Sequence, residues 1–171
     1  MDISSLEAPT SETVGGAVMR LTQTRVGLVG CGSAKLSRPS PAGSLYTSAL
    51  FRKSRAYVEA TCDRWYVLSA KYGLVHPDTI LEPYDVKLGR VIPREPERSA
   101  QPIHQWADMV RAQLATELAD VPRVTLIAVA GEQYRTILHP CQWPYSVPMQ
   151  GLGIGEQLAW LTAALSEVRS A

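Results

Sequence analysis

Residues 30–35, Gly-Cys-Gly-Ser-Ala-Lys, set two glycines, a serine and a lysine directly behind a short apolar run. Backbone amides in such a turn can form an anion-binding nest around Gly32 and Ser33, with Lys35 adding a point charge. The other reading is a tight turn with a surface lysine. The spacing matches neither a Walker A loop nor a dinucleotide fingerprint. Cys31 adds a second chemistry, because a thiol beside loop amides and a lysine can gain thiolate character. None of the three histidines stands in an obvious partner position, and a cysteine is commonly just a small buried hydrophobe.

Ser69-Ala-Lys71-Tyr72-Gly73 repeats the theme: a hydroxyl, a lysine and a tyrosine, then a glycine that permits an unusual backbone turn. If both loops lie at strand ends, Lys35 and Lys71 put two positive charges over one crevice, as an anionic ligand requires. Pointing into bulk water is the usual fate of lysine. Glu132 follows Gly131 behind the most apolar run of the chain. It either complements a helix dipole or faces the crevice as acid, base or nucleophile. Asp85, in Glu82-Pro-Tyr84-Asp85, is a second candidate carboxylate. Together with Tyr72 and Tyr84, two carboxylates could grip a base and a sugar, and such carboxylates serve glycosidic-bond chemistry. Gly151-Leu-Gly153-Ile-Gly155 precedes a helical pattern, where glycines admit a ligand to a helix N-terminus or simply make a flexible turn. His139-Pro-Cys141 has awkward spacing for zinc and no Cys-x-x-Cys exists, so neither a metal nor a cofactor is expected.

The elements that position these residues follow from periodicity. Val26–Gly30 and Trp65–Leu68 read as buried strands, and Val124–Ala130 as a central strand apolar on both faces. Ser44 is the expected cap of a helix carrying Leu50, Tyr57 and Val58 inward. Helices also follow from Ile103, Trp106, Val110, Leu114 and Leu118, and from Ile154, Leu158, Leu161, Leu165 and Val168. Glu132–His139 reads as a short helix, and Tyr145–Met149 as a last strand that Pro148 confines to an edge or end. Between His76 and Pro102 five prolines exclude regular helix or central strand. In that loop Ile80, Tyr84 and Leu88 are expected to pack down, and Arg94–Arg98 to be solvated.

Residues 1–23 read as a disordered leader and 24–171 as one α/β domain. The expected fold is three-layer and Rossmann-like, with a mostly parallel sheet of about four strands and helices on both faces. Ligands in such sheets bind beyond the carboxyl ends of the strands. The segments around 33, 71, 132 and 153 should therefore meet at one rim.

Composition bounds the rest. With 171 residues, 46% hydrophobic and 19% charged, the chain suits one domain with a sizeable core. A net charge of +1 excludes an overall basic nucleic-acid binder, although Arg20, Arg25, Arg38, Arg52, Lys53 and Arg55 tilt the first third basic. No apolar stretch is long enough to span a membrane, and the first residues carry no secretory pattern. Three widely spaced cysteines (Cys31, Cys62, Cys141) fit a reducing cytoplasm.

Cys31–Lys35, Leu45-Tyr46-Thr-Ser48 with Phe51, Leu68–Val75, Pro77-Asp78, Glu82–Asp85 with Leu88-Gly89, Ala130–Tyr134 and Gly151–Gln157 together resemble an uncharacterised bacterial domain family, DUF6884. The resemblance spans roughly Val26 to Leu165. The order of blocks is more distantly similar to the peroxide-stress protein YaaA family. That likeness implies a link to oxidative stress and DNA binding through a helix-hairpin-helix, an element this shorter chain does not show. Related domains look to occur near tRNA-guanine transglycosylase-like proteins, which implies handling of modified bases. Lys35, Tyr46, Ser69, Tyr72, Gly73, Pro83 and Tyr84 fall inside the matched blocks. The expected function is an enzyme on a nucleotide, nucleoside or modified base, at the N-glycosidic bond. Lys35 and Lys71 would hold an anion, Tyr46, Tyr72 and Tyr84 the base or sugar, and Glu132 or Asp85 would do the chemistry. The alternative is a non-catalytic nucleic-acid-binding stress protein. Oligomeric state is left open.

Overall fold

The computed structural model describes residues 22–89 and 99–171. The expected leader lies outside these residues except for Thr22 and Gln23, as does Arg94–Arg98. In chain order the elements are β1 (Thr24–Gly30), β2 (Ser40–Pro41), α1 (Ala42–Leu45), α2 (Ala49–Thr61), β3 (Arg64–Ser69), β4 (Gly73–Val75), β5 (Ile80–Leu81), β6 (Val86–Leu88) and β7 (Ser99–Gln101). They continue with α3 (Ile103–Glu117), β8 (Val124–Val129), a 3-10 turn (Tyr134–Leu138), β9 (Tyr145–Ser146) and α4 (Ile154–Ser170).

The central sheet has five strands in the order β4-β3-β1-β8-β9, one more than the sequence suggests. The β1–β3, β1–β8 and β8–β9 pairs are parallel, while β4 runs antiparallel to β3. The middle of β1, from Val26 to Val29, and nearly all of β8 are buried because both faces are covered there. Side chains alternate between faces with a period of two. Val26 and Leu28 of β1 pack with Trp106, Val110 and Leu114 of α3. Val29 instead joins Phe51 and Val58 of α2 and Leu161 of α4. Burying each such Leu, Val or Phe contributes on the order of 1.5–3 kcal/mol.

The extra strand comes from the end of the Ser69–Gly73 loop. Gly73, at φ 75°, reverses the chain so that Leu74 pairs back on Leu68. Gln113 of α3 staples this hairpin, accepting from the Leu74 amide at 2.8 Å and donating to the Tyr72 carbonyl at 3.2 Å.

The helix expected to be capped by Ser44 starts later. Ser44 sits inside the one-turn α1, because Tyr46 turns extended to form a bridge with Lys35. Ser48 is the cap of α2, its Oγ accepting from the Phe51 amide at 3.1 Å. The inward face carries Phe51, Ser54 and Val58, with Leu50 and Tyr57 partly buried beside them.

Among its described residues the proline-rich stretch contributes two- and three-residue strands, and β5 and β6 pair outside the central sheet with β2 and β7. Leu81 and Leu88 pack down, whereas Ile80 is 63% exposed. Expected strand Tyr145–Met149 shortens to β9 at the edge beside β8. In α4 the expected stripe is buried at Leu161, whereas Ile154 and Val168 are exposed. Among the described residues no helix is long and apolar enough to cross a membrane.

Candidate functional site

Strands β3, β1, β8 and β9 run parallel, so their carboxyl ends share one rim. The loops around Ser33, Lys71, Glu132 and Gly153 all leave from that rim. They form a hydroxyl cluster with a small cleft beside it, and a second, larger cleft.

The cluster is built on Ser69, the fully buried last residue of β3. Its Oγ accepts from the Tyr72 amide at 3.1 Å and the Lys71 amide at 3.3 Å, which leaves its own hydrogen for Tyr84 Oη at 2.6 Å. Tyr84 Oη lies 2.6 Å from Tyr46 Oη. Two phenol hydrogens then serve one phenol–phenol contact, so one O–H remains to donate outside the trio. Tyr72 stands edge-on to Tyr84 with ring centres 5.5 Å apart. Lys35 Nζ lies 4.5 Å from the centre of the Tyr84 ring, and Lys71 Nζ lies 5.9 Å from it. The two ammonium groups thus converge on one tyrosine. Trp106 of α3 ties the cluster to the core, its Nε1 donating to the Ser69 carbonyl at 2.8 Å.

Burial raises the Tyr46, Tyr84 and Tyr134 phenols well above the ordinary tyrosine range, and nearby Cys31 adds to the rise. At neutral pH they are therefore uncharged hydrogen-bonding groups. Cys31 Sγ lies 3.1 Å from Tyr134 Oη.

Beside the cluster, a cleft of about 190 Å³ is lined by Cys31, Gly32, Ser33, Lys35, Asp85 and Tyr134, among others. A larger cleft of about 400 Å³ is lined by Gly131, Glu132, Arg135, Met149, Gly153 and Gln157, among others. Gln133 and Tyr134 face the small cleft while Glu132 and Arg135 face the large one, so the turn after β8 divides the rim. The two candidate carboxylates are consequently not paired: Asp85 lines one cleft and Glu132 the other. Both are exposed. The Glu132 side chain makes no hydrogen bond or ion pair among the described residues. Gly153 opens α4, its amide donating to Glu156 Oε2 at 2.8 Å. Among the described residues no three His, Cys, Asp or Glu side chains gather as a metal site would require.

Sequence reasoning missed Arg135, Gln157 and the anchoring role of Trp106. Arg135 carried a readable signal, since it stands three residues after Glu132 and so shares its side of a helical turn.

The chain matches the family of unknown function DUF6884 over residues 26–163. It belongs to that family. The DUF6884 match contains every site residue named above. The chain is also similar to the uncharacterized protein YfjM of Bacillus subtilis (strain 168), with 27% identity over 158 residues, covering 84% of this chain and 96% of that protein.

Proposed function

We propose that this DUF6884 protein is an enzyme that hydrolyses the N-glycosidic bond of a nucleotide, nucleoside or modified base. The observation that carries the reading is Glu132, an unpaired carboxylate in the large cleft at the strand ends, on the same rim as a cluster of tyrosines and two converging lysines but across the turn after β8 from them. In this reading the C1′–N bond breaks and its electron pair goes to the base nitrogen, which takes up a proton. Glu132 stabilises the positive charge developing at C1′. A water oxygen then bonds to C1′ and gives its proton to Glu132, which returns it to solvent, the source of the proton taken up by the base, so that the net reaction adds one water. Tyr46, Tyr72 and Tyr84 position the base or sugar, with the surplus phenol hydrogen as a donor. Lys35 and Lys71 attract an anionic group, and no cofactor is needed. Asp85, in the small cleft, is a binding group.

The same reading includes a three-layer, Rossmann-like arrangement, supported by the two cores that β1 side chains reach on alternate faces. It includes distant kinship with the YaaA family, supported by the shared order of the blocks at Cys31–Lys35, Leu68–Val75 and Glu82–Asp85. A cytoplasmic location is supported by three free cysteines. A nucleic-acid-binding role has less to stand on. Arg25, Arg52, Lys53 and Arg55 have donors committed to the chain's own Thr61, Thr47, Thr162 and Glu59.

The test is chromatographic detection of free base after incubation with a panel of nucleosides, nucleotides and deazapurine derivatives. Wild type should release base from at least one substrate, and Glu132→Gln should slow release by about 10²–10⁴-fold with the fold intact. No base released, together with no binding by calorimetry, would remove the reading.

A further inference from the structure

Arg135 is half-buried on the wall of the large cleft, and its Nε is buried with no hydrogen-bond partner. Buried N–H groups of arginine are normally satisfied, because leaving one unpaired forfeits its hydration without return. Among the described residues the other half-buried arginines obey this rule: Arg55 donates to Glu59 and the Gly43 carbonyl, and Arg111 to four backbone carbonyls and Asp108. Spacing deepens the contrast. Asp108 and Arg111, three apart on α3, pair at 2.7 Å. Glu132 and Arg135 have the same spacing and line the same cleft, yet they do not pair.

Gly131 adds an independent observation. It lines the cleft, its φ is not in the left-handed region, and a Cβ built there meets nothing within 4 Å. Neither backbone conformation nor packing within the chain requires glycine at that position, whereas close approach by a ligand does. Gln157 donates its amide to the Leu152 carbonyl at 2.7 Å, which leaves its carbonyl oxygen to accept from a hydroxyl.

We propose that the large cleft binds a phosphorylated sugar, with the phosphate on the Arg135 guanidinium and the sugar between Gln157 and Glu132. Arginine stays charged and presents paired N–H donors that match phosphate oxygens. A guanidinium and a carboxylate held apart in one cleft suit a ligand that is anionic at one end and carries hydrogen-bond donors, such as hydroxyls, at the other. Resting on the glycosidic-bond reading, this site makes the substrate a nucleotide rather than a nucleoside.

The probe is ribose 5-phosphate, titrated calorimetrically into the full chain with ribose as comparison. Ribose 5-phosphate should bind and ribose should not. Arg135→Gln should weaken binding by about 10- to 100-fold, the loss of a charge-assisted hydrogen-bond pair, with Arg135→Lys in between. Gly131→Ala, which meets no atom of the chain, should keep the wild-type melting temperature and still weaken binding. Absence of ribose 5-phosphate binding, equal binding of ribose, or unchanged affinity in Arg135→Gln would each overturn the site. Base release from nucleosides as fast as from nucleotides, untouched by Arg135→Gln, would overturn it while leaving the glycosidic activity. Phosphate-dependent binding with no base released from any substrate would retain the site and remove that activity.

Discussion

Tyr84 is the residue through which the rim holds together. Its hydroxyl joins Tyr46 to Ser69, its ring meets Tyr72, and both lysines lie over it. Replacing it with phenylalanine strands two buried hydroxyls, and Tyr84→Phe should lose about 1–3 kcal/mol of stability by urea denaturation. The buried phenols also set a pH dependence. In the unfolded chain they titrate near the ordinary value of about 10, while folding holds the proton to higher pH. The unfolded state therefore binds fewer protons above pH ~10, and stability falls as pH rises from there, by up to about 1.4 kcal/mol per pH unit for each phenol. The urea midpoint should be level up to about pH 9 and drop beyond pH ~10, less steeply in Tyr84→Phe. A midpoint that stays level through this range would contradict the burial assigned to these groups. The sequence made Tyr46, Tyr72 and Tyr84 legible as site residues through their company of lysines and glycines. It did not reveal that three hydroxyls share hydrogens, since that depends on distances across 38 residues of chain.

At the level of elements, α3 positions both halves of the rim. Gln113 staples the β3–β4 hairpin, and Trp106 anchors Ser69. Arg111 gathers the carbonyls of Thr136, Ile137, His139 and Pro140, at 2.8 to 3.2 Å, and so holds the turn that carries Glu132 and Arg135. The ion pair with Asp108 adds little, because the aspartate is 78% exposed. Arg111→Ala should cost about 2–4 kcal/mol, read as a lowered urea midpoint, because several carbonyls lose their donor together. Arg111→Lys should recover only part of this, since an ammonium cannot fork to four acceptors. The helix itself was plain from Ile103, Trp106, Val110 and Leu114, whose spacing is set by 3.6 residues per turn. Gln113 and Arg111 left no such mark, because they lie off the apolar stripe and act on segments far away in sequence. The Ser44 cap failed for a related reason. The bridge between Lys35 and Tyr46 ends α1 after one turn, and helix α2 restarts at Ser48.

For the molecule as a whole, stability concentrates in the strands with two neighbours and two covered faces. Amide hydrogen exchange followed by mass spectrometry should find β1 and β8 slowest, and β4 and β9 markedly faster. Equal protection across the five strands would contradict the sheet order. The alternation of apolar runs and helical stripes was enough to determine a mostly parallel α/β sheet, because period and burial are local properties that each segment writes into its own residues. Parallel strands then oblige their carboxyl-end loops to share a rim, so the neighbourhoods of Ser33, Lys71, Glu132 and Gly153 were also foreseeable. Only the tertiary structure decided that Gly73 starts a fifth, antiparallel strand. It alone divided the rim so that Asp85 and Glu132 face different clefts, and left Arg135 unpaired beside Glu132. Those outcomes depend on which distant surfaces meet and which polar groups find partners, and contacts of that kind are fixed by packing rather than by the pattern of any one segment.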